Sequence, residues 1–253
     1  MRLIKFVLIA LILAACGAAA QPTAQPTAAP DPLAFGTEPT TIVLEHRAGG
    51  GFRMPLYNQV LSVPLLRIYG DGRAIYQRTD DNGVMQWQET TFAPAELRAL
   101  LLDVLGPKDE LCTQATIPTA PVADAGDSTI TVNLLARTCG ATVDAVFAGA
   151  EQREGITPAG ATLLAQMQHA DEALQNVERQ AAKAFTPEAV TVYTMESGES
   201  PDAIAWPLAA DSLRDGNVIK GADAVALLEK VSTPKNFSVD GKYVMAVAVP
   251  ILP

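Results

Sequence analysis

Side chains able to do chemistry are few in this sequence and widely spaced. Cysteines stand at 16, 112 and 139, and the two histidines are His46 and His169. Ser232-Thr233-Pro234-Lys235 has the Ser-x-x-Lys spacing by which a lysine can activate a serine nucleophile. That pairing needs an uninterrupted helical turn, and Pro234 opposes one. Asp80-Asp81-Asn82-Gly83 is rich in oxygen ligands. A calcium loop would alternate them and add a glutamate at the twelfth position, so this stretch reads as a turn. Gly49-Gly50-Gly51 could cradle a phosphate only if a helix followed directly, and Met54-Pro55 argues against that. His46 shares a strand face with Ile42 and Leu44 and reads as a packed histidine; His169 falls off the apolar stripe of its helix and reads as solvated. Neither has a cysteine or carboxylate at ligand spacing. No Gly-x-Ser-x-Gly, His-Glu-x-x-His or Walker loop occurs. No catalytic residue, metal or cofactor is expected.

The remaining chemistry lies near the start of the sequence. Arg2 and Lys5 precede an apolar run over residues 6–15, too short to span a hydrocarbon core of ~30 Å. It ends on the small residues Ala14 and Ala15, as a secretory signal does. Leu13-Ala14-Ala15-Cys16 resembles the lipobox of bacterial lipoproteins, Leu-small-small-Cys. The resemblance implies cleavage before Cys16, thioether lipidation of its sulfur and acylation of the new N-terminus. The alternative is a plain secretory signal with a chance cysteine. Several acyl chains at ~0.8 kcal/mol per buried CH₂ would make the anchor effectively permanent. Residues 17–36 then read as a stalk. Gln21-Pro22-Thr23-Ala24 repeats as Gln25-Pro26-Thr27-Ala28, with Pro30 and Pro32 beyond. Such a segment cannot build a core and should be extended and semi-rigid, at ~3.1 Å per residue.

Beyond residue 36, 217 residues remain, enough for one sizeable domain or two small ones. The formal charge of −10 becomes −12 once Arg2 and Lys5 leave with the signal. An acidic surface excludes nucleic acid as the expected partner. With Cys16 acylated, Cys112 and Cys139 form an even pair in an oxidising compartment, which favours a disulfide over two free thiols or a metal site.

The elements that must position these residues follow from periodicity. Residues 41–47, 65–69, 74–78 and 84–90 alternate as strands, with Asp71-Gly72 as a two-residue hairpin turn and residues 49–57 as a loop. Pro94 opens a helix whose Leu97, Leu100, Leu101, Val104 and Leu105 make one stripe, ended by Gly106-Pro107. A second hairpin spans 129–137 and 142–147 around Cys139-Gly140. Thr157-Pro158 caps a helix carrying Leu163, Met167, Ala170, Leu174 and Val177 to about residue 184. Phe185-Thr186-Pro187 marks a boundary. Strands at 190–193, 203–206 and 243–250 and a helix at 222–231 follow, the last strand apolar on both faces and therefore central. The expected class is α+β: an antiparallel meander and hairpins packed with a few helices, plus a smaller C-terminal α+β unit. The organisation is signal 1–15, lipidated cysteine and linker 16–36, main domain 37–184 and C-terminal subdomain 185–253.

Gly50-Gly51-Phe52 after Ile42-Val43-Leu44-Glu45, then Asp71-Gly72 and the helix at Glu96-Leu97, resemble the emfourin family, inhibitors of the thermolysin-like protease protealysin. The resemblance covers residues 41–180 and implies that fold and a protease partner. Three readings follow. The first is a lipid-anchored, non-enzymatic binding module of a bacterial cell membrane or outer membrane, facing away from the cytoplasm. Its contact with an envelope or secreted protein would run through Gly50, Gly51, Phe52, Arg53 and Met54, because grouped Phe, Met and Arg suit an interface. The second is an emfourin-like inhibitor and the third an envelope hydrolase. In every case the bilayer contact is acylated Cys16. Cys16→Ser should therefore move the folded domain out of the membrane fraction and abolish metabolic palmitate labelling. Wild-type protein that stays membrane-bound without taking up label would overturn the lipid anchor.

Overall fold

Alternating apolar residues build two sheets. The computed structural model describes residues 31–51, 55–80, 84–180 and 182–253. Strands β1 (Ile42–Gly50), β2 (Leu66–Tyr69), β3 (Arg73–Thr79), β4 (Met85–Thr91), β5 (Gly126–Asn133), β6 (Thr138–Asp144) and β7 (Lys183–Ala184) form the first. Its antiparallel order is β6-β5-β1-β2-β3-β4-β7. Strands β8 (Ala189–Glu196), β9 (Ile204–Ala205), β10 (Asn217–Lys220), β11 (Lys235–Val239) and β12 (Lys242–Pro250) form the second, in the order β10-β8-β12-β11-β9. Only the β11–β9 pair is parallel among the described residues. Helices α1 (Pro55–Leu61), α2 (Pro94–Leu105), α3 (Pro158–Glu178) and α4 (Ala222–Val231) complete an α+β fold. Strand β12 is central, as its two apolar faces require.

The first sheet is covered on both sides. On one face Leu44, Ile68, Tyr76, Ile130 and Val132 pack against Leu97, Leu101 and Leu105 of α2 and Leu163, Met167 and Leu174 of α3. On the other, Tyr69, Ile75 and Trp87 share a core with Phe185, Val190, Val192, Phe237 and Ala246, closed by Leu227 and Val231 of α4. Trp206 meets Phe237 edge-on at 4.9 Å and donates its indole N–H to Ser212 Oγ at 2.8 Å. Helix α1 lays Leu56 and Val60 on Val247 and Val249, on the opposite face of the second sheet. Pro32–Pro253 thus form one compact unit. Glu96 accepts the Ala93 N–H at 2.8 Å to start α2, and Thr157 Oγ1 accepts the Gly160 N–H at 3.1 Å to start α3.

Several boundaries differ from the expectation. A bulge between Ile42 and Leu44 breaks the alternation of β1, so Ile42 packs into the second core while Leu44 and Val43 face the first. The Tyr69 carbonyl accepts the Gly72 N–H at 2.9 Å and β3 begins at Arg73, making the turn three residues long with Gly72 at φ 86°. The β5–β6 turn lies at 134–137, closed by Leu134 and Arg137, with Cys139 and Gly140 inside the strand. Gly140 signals close approach instead of a turn, because a Cβ there would lie 2.5 Å from the Ile130 carbonyl oxygen. Helix α3 stops at Glu178, since Lys183-Ala184 is captured as the sheet's edge strand beside β4.

Cys112 and Cys139 are bonded, with an S–S distance of 2.07 Å. The bridge ties the short 3₁₀ turn Glu110–Cys112 to edge strand β6. Closing a loop of 27 residues restricts the unfolded chain by roughly 3.5 kcal/mol. Reduction, or Cys112→Ala with Cys139→Ala, should lower the melting temperature by about 10 °C in calorimetry. An unchanged transition under reductant would show that the bridge adds nothing to stability.

Candidate functional site

The residues expected to act lie in three different places. Cys16 and Phe52, Arg53 and Met54 fall outside the described residues. Gly49 and Gly50 do not begin a loop: they end β1, paired with Asp127 and Gly126 of β5. Gly50 and Gly51 take φ of 62° and 74°, and a Cβ on Gly51 would come 3.0 Å from the Asp124 carbonyl oxygen. The loop expected through residue 57 instead gives way to α1 at Pro55, where a proline suits the first helical turn. Ser232 and Lys235 do not meet. Ser232 Oγ donates to the Met85 carbonyl at 2.7 Å and Lys235 Nζ to the Lys230 carbonyl at 2.6 Å. Asp80 Oδ1 accepts the Val84 N–H at 2.9 Å and its Oδ2 the Gln86 amide at 3.1 Å, as a hairpin turn requires. His169 is half-exposed beside Asp103 at 2.8 Å.

His46 is packed, as its strand position indicates, but its partners are ionic. It is 1% exposed, and Nδ1 lies 2.8 Å from Glu178 Oε1 while Nε2 lies 3.1 Å from Asp171 Oδ1. Ser128 Oγ is 3.2 Å from Nε2 and donates to Asp171 Oδ1 at 2.7 Å; Gln175 donates to Asp171 Oδ2 at 2.6 Å. Burial alone pulls the His46 pKa down. Hydrogen bonds and charge from Asp171 and Glu178 outweigh it and raise the value to about 9. Burial likewise raises Asp171, but hydrogen bonds from His46, Ser128 and Gln175 hold it below the usual carboxylate range. A serine, a histidine and a carboxylate in sequence suggest a hydrolytic triad, yet the protons are wrongly placed for one. The serine proton points to Asp171, and a protonated imidazole has no lone pair to receive it. The cluster instead fastens α3 to β1 and β5. The helix carried a signal for it: Leu164, Asp171 and Glu178 recur every seven residues along one row beside the apolar stripe.

Arg153 is a second buried cation that spacing did not reveal. Its Nη1 donates to the Pro118 carbonyl at 2.6 Å and to Asp144 Oδ1 at 3.0 Å. Its Nη2 donates to the Asp144 and Ala145 carbonyls at 2.6 and 3.0 Å. It pins the proline-rich 118–125 loop to the end of β6. Two of the concave surfaces lie at the seam of the two sheets. A groove of about 590 Å³ runs between Arg73 and Glu89 of the first and Val218 and Lys220 of β10, with Glu188 and Ile251 beside them. A smaller recess of about 310 Å³ lies between β4 and α4 against Trp87, Phe185 and Leu228. No group of three metal-ligating side chains occurs among the described residues, and no helix among them is long and apolar enough to cross a membrane. Compared with models of known protein families and with curated proteins, the sequence matches none.

The His46 cluster has a definite pH signature. Its folded pKa, about 9, lies above the unfolded value near 6.5, so its contribution is complete below about pH 6.5 and lost as pH rises through 9. Asp171, with a depressed pKa, contributes above the unfolded carboxylate value and loses its contribution in more acid solution. Thermal melts should therefore show stability falling by on the order of 3 kcal/mol between pH 6.5 and 10, and His46→Leu should flatten that slope. An equal slope in the variant would remove His46 as its source.

Proposed function

We propose that the protein is a lipid-anchored extracytoplasmic lipoprotein whose folded domain binds a partner and performs no catalysis. One observation carries the non-enzymatic reading. The constellation nearest to a nucleophile set, Ser128 with His46, is buried, with both imidazole nitrogens held by Asp171 and Glu178. It serves packing, where a catalytic base would need to be neutral and open to substrate. The Cys112–Cys139 bridge supports an oxidising compartment, in keeping with the Leu13-Ala14-Ala15-Cys16 lipobox. The partner class is an envelope or secreted protein, met at Gly50, Gly51, Phe52, Arg53 and Met54. Gly50 is the last residue of β1 and pairs with Gly126 of β5, so the contact would begin at a rigid pair of strands.

Affinity capture of the native lipoprotein with its envelope neighbours tests the reading directly. One partner should co-purify in stoichiometric amount with wild-type protein, and Phe52→Ala or Arg53→Ala should reduce capture at least tenfold, as loss of an interface anchor does. Capture that neither substitution changes would move the contact elsewhere; capture of nothing, with turnover of a substrate in a hydrolase panel, would replace the reading by catalysis.

A further inference from the structure

The inter-sheet groove holds four charged side chains and none of the ion pairs that would ordinarily neutralise them. Arg73 and Lys220 supply two cations, Glu89 and Glu188 two carboxylates, and all four line the same 590 Å³ space. None of them takes part in an ion pair with another described residue. Arg73 is the most constrained. Its guanidinium stacks 4.8 Å over the Tyr69 ring, its Nε is fully buried without a hydrogen-bond partner, and Nη2 reaches only the Pro39 carbonyl at 3.5 Å. Stacking on an aromatic face fixes the plane of the guanidinium and limits the entropy that a charge-assisted contact would cost. Val218 and Ile251 add apolar surface at 44% and 46% exposure, values high for such side chains.

The charge balance selects the occupant. Against a chain of net charge −10, the side chains lining this groove are balanced, with two charges of each sign. A simple anion would meet Glu89 and Glu188, and a simple cation would meet Arg73 and Lys220. A molecule bearing both signs and an apolar body satisfies all three wall types at once, and the volume lies within the range of small-molecule sites, about 300–1,000 Å³. We infer that this groove binds a short apolar peptide or amino acid with free termini. Arg73 and Lys220 take its carboxylate, Glu89 and Glu188 its ammonium, and Val218 and Ile251 its side chain. The inference rests on the binding-module reading and gives that module a ligand distinct from the protein partner at residues 50–54.

Isothermal titration of the full chain in detergent, disulfide intact, with L-leucyl-L-leucine tests it. One dipeptide should bind per chain. N-acetylation or C-amidation of the probe should each weaken binding roughly tenfold or more, since each removes a charge-assisted contact. Arg73→Gln should do the same, and Lys220→Gln, at an exposed position that leaves the core untouched, should weaken binding several-fold with an unchanged melting temperature. No heat from the dipeptide, or equal affinity for blocked and free forms, overturns the proposal. If affinity capture still yields its partner in that case, only the groove assignment fails; if both fail, the binding reading falls with it.

Discussion

A sheet whose central strands carry apolar side chains on both faces cannot leave either face in water. In β3, Ala74 and Tyr76 face one way and Ile75 the other, and all three are buried. Burial at about 25 cal/mol per Å² makes two covers a condition of folding for this sheet. Helices α2 and α3 supply one. The second sheet and α4 supply the other, so Tyr69, Ile75 and Trp87 belong to the same core as residues beyond Phe185. The hairpin β5–β6 shows the contrast. Ile130 and Val132 are buried on one face only, and Thr129 and Thr142 pair with each other on the half-exposed side. The rest of the architecture follows from where the double cover is needed and where it is not.

Within that frame, buried charge sets position more than it adds net stability. The contacts of His46 to Asp171 and Glu178 add a directional fastening to the apolar packing of α3 against β1. A buried ion pair of this kind contributes little relative to an apolar replacement, but removing one member leaves the other stranded. Arg153 plays the same part between the Pro118 carbonyl of a proline-rich loop and the Asp144 and Ala145 carbonyls at the end of β6. The Cys112–Cys139 bridge holds the edge strand β6, which among the described residues has no strand on its outer side. Three fasteners therefore sit where hydrophobic layering alone is weakest.

The same double cover creates the groove at the seam of the sheets. Two twisted sheets meeting over one core diverge toward their ends, and the groove at Arg73 and Lys220 lies along that seam. Its charged walls come from strands distant in sequence, which is why neither Arg73 nor Glu188 stands out in a linear reading. On the proposed reading, a lipid tether at Cys16 would leave the groove and residues 50–54 to serve recognition.

Local pattern carried a large share of the fold. Periodicity placed α2, α3 and α4, the meander and the central β12, because helix and strand periods are properties of adjacent residues. The cysteine pair was legible from compartment and parity. What only the tertiary structure decided depends on contacts between distant segments. The bulge in β1 is set by pairing with β2, the early stop of α3 by the edge of β4, and the in-strand Gly140 by the carbonyl of Ile130. His46 was legible as buried, since it alternates with Leu44, but not as ionised. Its charge depends on two carboxylates 125 and 132 positions away in the chain, and no local rule relates residues that only a packed helix brings within 3 Å or so of one ring.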